Sequence, residues 1–240
     1  MSEVHAVVRD LEGAGILLVH EFGGSAANVE PVAQALRARG AAVEAPNLPG
    51  HGTRWQDLAD VGWRDWHATS SDAVDRLAAS SPRVVVVGTS VGAAIALRLA
   101  ALRPDVGAVV AVNATLGSSN PLLPLAPVLR FAVRSVATGG NDDGGLPRAY
   151  PRLPTKAVAQ LPPLWRDVRR RLGSMGQPLT IVRSASDGSA GEETAEFIRS
   201  RVASEDVREV VLEQAGHVAT VGPDVPAVVE AIAARCLEIN

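Results

Sequence analysis

Three residues of this 240-residue chain have the types, order and settings for nucleophilic acyl chemistry: Ser90, Asp187 and His217. A serine hydroxyl attacks a carbonyl carbon effectively only when a neighbouring base takes its proton. An imidazole serves as that base when a carboxylate fixes its tautomer. Ser90 is the centre of Gly88-Thr89-Ser90-Val91-Gly92, directly behind the apolar run 83–87 and ahead of an Ala/Leu-rich segment, 93–101. A buried strand, a Gly-x-Ser-x-Gly turn and a helix in unbroken succession make a sharp turn that lifts a serine out of the fold. Glycines at 88 and 92 let strand and helix approach where a side chain would clash. The helix start also presents N–H groups and a positive dipole end to the serine, where negative charge develops during acyl transfer. Taken alone, the pentapeptide is equally an ordinary βα turn with an exposed serine.

The order of the other two residues makes the reading more specific. In open sheets of this kind the acid and then the histidine follow the nucleophile along the chain. Asp187 lies a short loop after the strand-like run 179–182, and His217 a short loop after 207–212. Both therefore emerge at the carboxyl ends of strands, on the sheet edge that carries Ser90 and where ligands gather. The remaining histidines fit the role of base less well. His5 is near the terminus, and His67 lies in a helical segment. His51 sits in the turn Pro49-Gly50-His51-Gly52, and His20 precedes the serine. Asp142 and Asp143 belong to the glycine-rich run 139–145, which reads as a mobile, solvated loop without the spacing of a cation site.

These residues need a scaffold, and apolar patterning supplies one. Strands are expected at 16–20, 42–45, 83–87, 106–112, 179–182 and 207–212, separated by helical segments that include 195–202 and 226–237. Trp63, Trp66, Val74 and Leu77 share one helical face. Short valine-rich strands alternating with helices predict an α/β fold with a doubly wound, mostly parallel sheet. The stretch from 116 to about 171 breaks the rhythm with several prolines and scattered apolar residues, among them Leu122, Leu123, Leu125, Val128, Leu129 and Phe131. It is too apolar for a linker and too irregular for a sheet unit. Its first part, about 116–150, reads as a small mobile cap over one end of the sheet, and its later part as a return helix at 156–172. The division expected is a core of 1–115 and 172–240, with 116–171 as cap insertion and return helix. Leu123 and Leu129 are the candidate cap residues lining a substrate pocket.

Composition narrows the function classes. A hydrophobic content of 47% supports a sizeable core and excludes disorder as the main state. With a net charge of −3 and no basic stripe evident, a nucleic-acid partner is not expected. The single cysteine, Cys236, falls in phase with Val225, Val228, Val229 and Ile232, which points to a core position and a reducing, cytoplasmic setting. The polar N-terminal stretch lacks the apolar region of a signal peptide, and no apolar run is long enough to span a bilayer.

The assembled pieces resemble the bacterial α/β-hydrolase carboxylesterases and monoacylglycerol lipases with a small cap. The resemblance runs over nearly the whole chain. It is carried by Leu17-Leu18-Val19-His20-Glu21-Phe22-Gly23-Gly24, by Leu48-Pro49-Gly50-His51-Gly52-Thr53 and by Trp63 with Asp65-Trp66. It continues through 88–92, Ala149-Tyr150, Pro154, Arg183-Ser184-Ala185-Ser186-Asp187 and Gly216-His217-Val218-Ala219-Thr220. The resemblance implies the α/β-hydrolase fold and ester hydrolysis through a Ser90, His217 and Asp187 triad, with no metal or organic cofactor and a small-molecule ester as substrate. It further implies that the backbone N–H groups of Phe22 and Val91 form the oxyanion hole. Three positions depart from the family pattern: Glu21 in place of glycine, Ala93 where a further glycine is frequent, and Gly188-Ser189-Ala190 after the acid. Glu21 is the consequential one. A carboxylate about 8 Å from the developing oxyanion would cost about 2 kcal/mol at an effective dielectric near 20. A side chain lying in water would be screened and silent. Two other readings stay open at this point: a catalytically impaired α/β-hydrolase that binds a small ligand, and a thioester or C–C bond hydrolase using the same triad.

Overall fold

Consecutive valines and leucines leave a strand no polar face, so such segments are satisfied only inside a sheet covered on both sides. In the computed structural model they form the middle of such a sheet. The structure describes residues 10–118, 120, 123–138, 149–187 and 191–239. In chain order the elements are β1 (Gly15–Val19), α1 (Glu30–Ala38), β2 (Ala42–Glu44), α2 (Trp63–Ala78), β3 (Val84–Thr89), α3 (Val91–Leu102) and β4 (Val106–Val112). There follow α4 (Ala126–Leu129), β5 (Ser135–Ala137), β6 (Arg152–Pro154), α5 (Thr155–Val158) and α6 (Leu161–Arg171). The last are β7 (Leu179–Ser184), α7 (Glu192–Arg199), β8 (Val207–Leu212) and α8 (Val225–Ile239).

Six strands pair in the order β2-β1-β3-β4-β7-β8, all parallel. Leu17 registers with Val86, Val87 with Val110, and Val112 with Val182. The two-residue period of a strand divides these side chains between the faces. Leu17, Val19, Val84, Val86, Val109 and Ala111 pack beneath α2, α3, α6 and α7. Ile16, Leu18, Val85, Val87, Ala108 and Val110 pack beneath α1 and α8. Trp63, Trp66, Val74 and Leu77 are all buried along α2, as their spacing predicts. Cys236 is fully buried on α8, and burial pushes its thiol up to about 12. No helix among the described residues is long and apolar enough to cross a membrane.

Between β4 and β7 the structure departs from the sequence expectation twice. The region read as too irregular for a sheet unit contains an antiparallel ribbon, with Ser135 opposite Pro154 and Ala137 opposite Arg152. Each arm has three residues, too few to display a period. The expected single helix at 156–172 is two, α5 and α6. The second begins at Leu161 with prolines at 162 and 163, which have no N–H to give and so open a helix rather than continue one. The run 139–145 and Leu122 lie outside the described residues.

The chain just before β6 is tied to the core. Tyr150 donates its N–H to the Gly23 carbonyl (2.8 Å) and its hydroxyl to the Gly50 carbonyl (3.0 Å). The Tyr150 hydroxyl accepts from the Thr53 N–H at 2.9 Å.

At the turn between β3 and α3 the glycines answer to space. A Cβ on Gly88 would lie 2.2 Å from the Gly92 carbonyl oxygen, and one on Gly92 2.3 Å from the Val19 carbonyl oxygen. Both obstacles are backbone, which cannot rotate aside. Gly92→Ala is therefore expected to lower stability by about 1–3 kcal/mol or more, the cost of overpacking a filled site. A urea-unfolding midpoint equal to the wild type would contradict this contact.

Candidate active site

Ser90 sits between β3 and α3 with φ 53° and ψ −114°, a conformation that L-residues rarely adopt. Such strain persists only where surrounding contacts hold it. Here the Ser90 N–H donates to the Val112 carbonyl (2.9 Å), and the Ser90 carbonyl accepts from the Thr115 N–H (3.3 Å). Both partners belong to the end of the neighbouring β4 and its loop, so the sheet itself fixes the turn. The result projects Oγ toward the carboxyl edge of the sheet.

His217 and Asp187 meet it there. His217 Nε2 is 2.9 Å from Ser90 Oγ, and His217 Nδ1 is 2.6 Å from Asp187 Oδ2. A carboxylate only accepts, so Nδ1 carries the proton and Nε2 accepts from the serine hydroxyl. The Asp187 side chain is 4% exposed and that of His217 22%, an acid withdrawn from water behind a base that reaches it. Thr115 Oγ1 lies 3.4 Å from Ser90 Oγ.

Asn113, which carries no sequence signal of its own, joins the loops that carry the acid and the base. It is fully buried with φ 44°. Its amide nitrogen donates to Ser184 Oγ (2.9 Å) and to the His217 carbonyl (2.8 Å), and its amide oxygen accepts from the Ser184 N–H (2.8 Å). Ser184 Oγ in turn donates to the Gly216 carbonyl at 2.9 Å. One side chain at the end of β4 thus ties the end of β7 to the loop after β8. A left-handed residue at a strand end is a place where asparagine is favoured, but neither its partners nor its burial can be read from the chain.

His20, set aside in the sequence as a base, has a different place. Its Nδ1 is 2.8 Å from the Glu21 carbonyl, and its Nε2 accepts the Leu48 N–H at 3.1 Å. A carbonyl accepts and a backbone N–H donates, so His20 is neutral with its proton on Nδ1. Burial and the neighbouring His51 pull its pKa down to about 3, which keeps it neutral. The carbonyl it holds belongs to the Glu21–Phe22 amide, whose N–H points the opposite way across a trans peptide plane. His20 therefore sets the direction of the Phe22 N–H. The Phe22 ring packs on Trp66 and His51, with ring centroids 5.4 and 5.9 Å apart. Val91 opens α3, where first-turn N–H groups have no partner within the helix.

The structure decides one of the two expectations raised for Glu21. The residue is not in water, being 5% exposed. Its carboxyl receives the Asn28 side-chain amide on one oxygen and the Thr89 hydroxyl on the other, at 3.2 Å. Asn28 is joined in turn to the His217 loop, since its carbonyl accepts from Thr220 Oγ1 at 2.6 Å. Desolvation raises the Glu21 pKa above the ordinary 4.5, against the lowering effect of the Asn28 and Thr89 hydrogen bonds. Glu21 works as a buried strut between the loop after β1 and the residue before Ser90.

Of the two candidate cap residues the structure separates one from the other. Leu123 borders a groove of about 880 Å³ that also touches Leu116, Trp165 and Phe197. Leu129 is not among the residues lining it. The departure Gly188-Ser189-Ala190 lies outside the described residues.

A sequence profile of the alpha/beta hydrolase family matches residues 16–232. The chain is 28% identical over 254 aligned positions to a thermostable monoacylglycerol lipase of Bacillus sp. (strain H-257), covering 96% of each. It is 25% identical to a carboxylesterase of Bacillus subtilis (strain 168), covering 85% of each. Among solved structures, one from a study of two metagenome-derived lipolytic enzymes, LipS and LipT, superposes with a TM-score of 0.89 at 26% identity, covering 95% of this chain and 94% of that one.

The Glu21 environment makes a pH-dependent expectation. With its folded pKa raised above 4.5, the native state holds a proton that the unfolded chain releases. Stability therefore falls as pH rises from 4.5 to the raised value and is level above it. Glu21→Gln keeps the shape and cannot ionise. Its stability relative to the wild type should increase as pH rises from 4.5 through the raised value, as read from urea midpoints. A difference that does not change with pH would show that burial does not shift this carboxyl.

Proposed function

The chain belongs to the alpha/beta hydrolase family, and we propose that it is a serine carboxylic-ester hydrolase acting on short- to medium-chain acyl esters, monoacylglycerols among them. The observation that carries the proposal is the His217 ring spanning Ser90 and Asp187 at 2.9 and 2.6 Å. The curated relatives, a monoacylglycerol lipase and a carboxylesterase, support the same substrate class.

In the proposed reaction Ser90 Oγ attacks the ester carbonyl carbon while its proton passes to His217 Nε2. Asp187 accepts the Nδ1 hydrogen bond, holds the ring in the needed tautomer and stabilises the imidazolium. The carbonyl oxygen becomes an oxyanion, received by the N–H groups of Phe22 and Val91. Donors fixed before the charge appears stabilise it without reorganisation, and the His20 hydrogen bond to the Glu21 carbonyl supplies that fixity for Phe22. Collapse expels the alcohol, which takes the proton from His217, and leaves an acyl-serine. Water then attacks the acyl carbon while His217 takes its proton, and as the second tetrahedral intermediate collapses the bond to Ser90 Oγ breaks, Oγ recovers the proton from His217, and the acid leaves. The steps call on no metal or organic cofactor.

Ser90→Ala is expected to lower kcat for p-nitrophenyl butyrate by about a thousandfold or more, with thermal unfolding nearly unchanged, since removing one triad member disables the set. Hydrolysis at a tenth of the wild-type rate, or faster, would overturn the assignment of Ser90. Leu123→Trp should narrow the range of acyl lengths accepted while sparing acetate esters. A uniform change along a chain-length series would remove Leu123 from the pocket wall.

A further inference from the structure

The chain carries a net charge of −3, yet its cations are not spread evenly. Arg166, Arg169 and Arg170 on α6 and Arg201 just beyond α7 line the same 880 Å³ groove, and no acidic residue lines it among the described residues. The absence of a basic stripe in the sequence therefore concealed a local concentration of charge. Asp167, the acid nearest in the chain, is already engaged. Its carboxylate takes Arg98 at 2.7 Å and Arg170 and Arg171 at 3.0 Å. Arg166, Arg169 and Arg201 make no ion pair among the described residues.

The groove is built around these cations. The Arg169 and Arg201 guanidinium groups lie 4.8 and 5.1 Å from the centre of the Phe197 ring, which orders them by cation–π contact. The Arg169 side chain also presses against Gly117, where a Cβ would come within 2.9 Å of its terminal nitrogen. Trp165 lines the same groove, is 7% exposed, and has an indole N–H without a partner among the described residues. A buried donor without an acceptor is costly unless a ligand supplies one. Leu116, Leu123 and Phe197 give the groove apolar walls. Its link to the reacting centre is through the chain: Leu116, which lines it, follows Thr115, whose hydroxyl is 3.4 Å from Ser90 Oγ.

We propose that this groove binds an anionic group, phosphate or carboxylate, carried by the ester substrate at some bonds' distance from the scissile carbonyl. The proposal rests on the ester-hydrolase reading and deepens it. Arginine suits the role because its planar fork pairs two donors with two oxyanion oxygens, and it keeps its charge when partly buried. A cleft with low-dielectric walls further concentrates the field of its charges on a ligand inside. The apolar walls take the carbon chain between the carbonyl and the anion.

Two matched pairs of esters test it and distinguish which half of the substrate carries the charge. With the charge on the alcohol side, 1-butyrylglycerol 3-phosphate is compared with 1-butyrylglycerol. With the charge on the acyl side, mono-p-nitrophenyl glutarate is compared with p-nitrophenyl valerate. In at least one pair kcat/KM should favour the anionic member by about tenfold at low salt, the scale of one charge-assisted hydrogen bond. High salt should shrink that ratio. The variant Arg166→Gln/Arg169→Gln/Arg201→Gln should abolish it, and Arg201→Gln alone should reduce it. No preference in either pair, or a preference that survives in the triple variant, would overturn the proposal. Calorimetric binding of the same anionic esters to Ser90→Ala supplies a reading independent of turnover. Affinity lost on adding the three glutamines supports the groove, and equal affinity with and without them overturns it. Failure of wild type to hydrolyse any of the four esters would count against the hydrolase reading, while the calorimetry would still decide the groove.

Discussion

The arrangement depends on one tight contact, the crossing of α3 over β1 and β3 at Gly88 and Gly92. Each glycine faces a backbone carbonyl at a distance that no Cβ could share. That closeness forces the chain through the unfavourable dihedrals of Ser90, and the strain is held by hydrogen bonds to Val112 and Thr115 on the next strand and its loop. Strain at a nucleophile is useful only if the surrounding structure prevents its release. In this chain the restraint comes from a sheet whose central strands are buried on both faces.

A second layer of buried polar groups transmits that geometry to the other reacting residues. Asn113 ties the end of β4 to Ser184 and to the His217 loop. Glu21 ties the loop after β1 to Thr89, and Asn28 carries the connection on to Thr220. His20 holds the amide whose N–H belongs to Phe22. Buried polar groups are costly when unpaired and rigidifying when satisfied. Networks of this kind hold the ends of five strands and their loops at separations that hydrophobic packing alone would leave loose.

Much of this was legible in the chain because it depends on local pattern. The valine runs of β3 and β4, the apolar face of α2, the turn at Ser90 and the order of Asp187 and His217 all leave marks within a few residues. What the chain did not disclose depends on pairs far apart in sequence. Asn113 meets Ser184 71 positions later, and Glu21 meets Thr89 across 68. The arginine groove joins α6 to Arg201 thirty or so residues on, so counting charges along the sequence dilutes it. The ribbon of β5 and β6 escaped for another reason. Its arms are three residues each, and their pairing is decided by the chain returning to the Gly23 and Gly50 carbonyls through Tyr150. At Glu21 the residue was noticed, but its environment was not readable. A glutamate beside a reacting centre means one thing in water and another when buried between an amide and a hydroxyl.

The central claim is that Ser90, His217 and Asp187 act as one unit and that the serine is the nucleophile. Fluorophosphonate labelling followed by intact-mass and peptide-mapping analysis tests it most directly, because the probe reacts with a serine only when its base is in place. One adduct per chain, located on Ser90 and abolished by His217→Ala, is the expected result. An adduct on another residue, or labelling of Ser90 at the wild-type rate without His217, would contradict it.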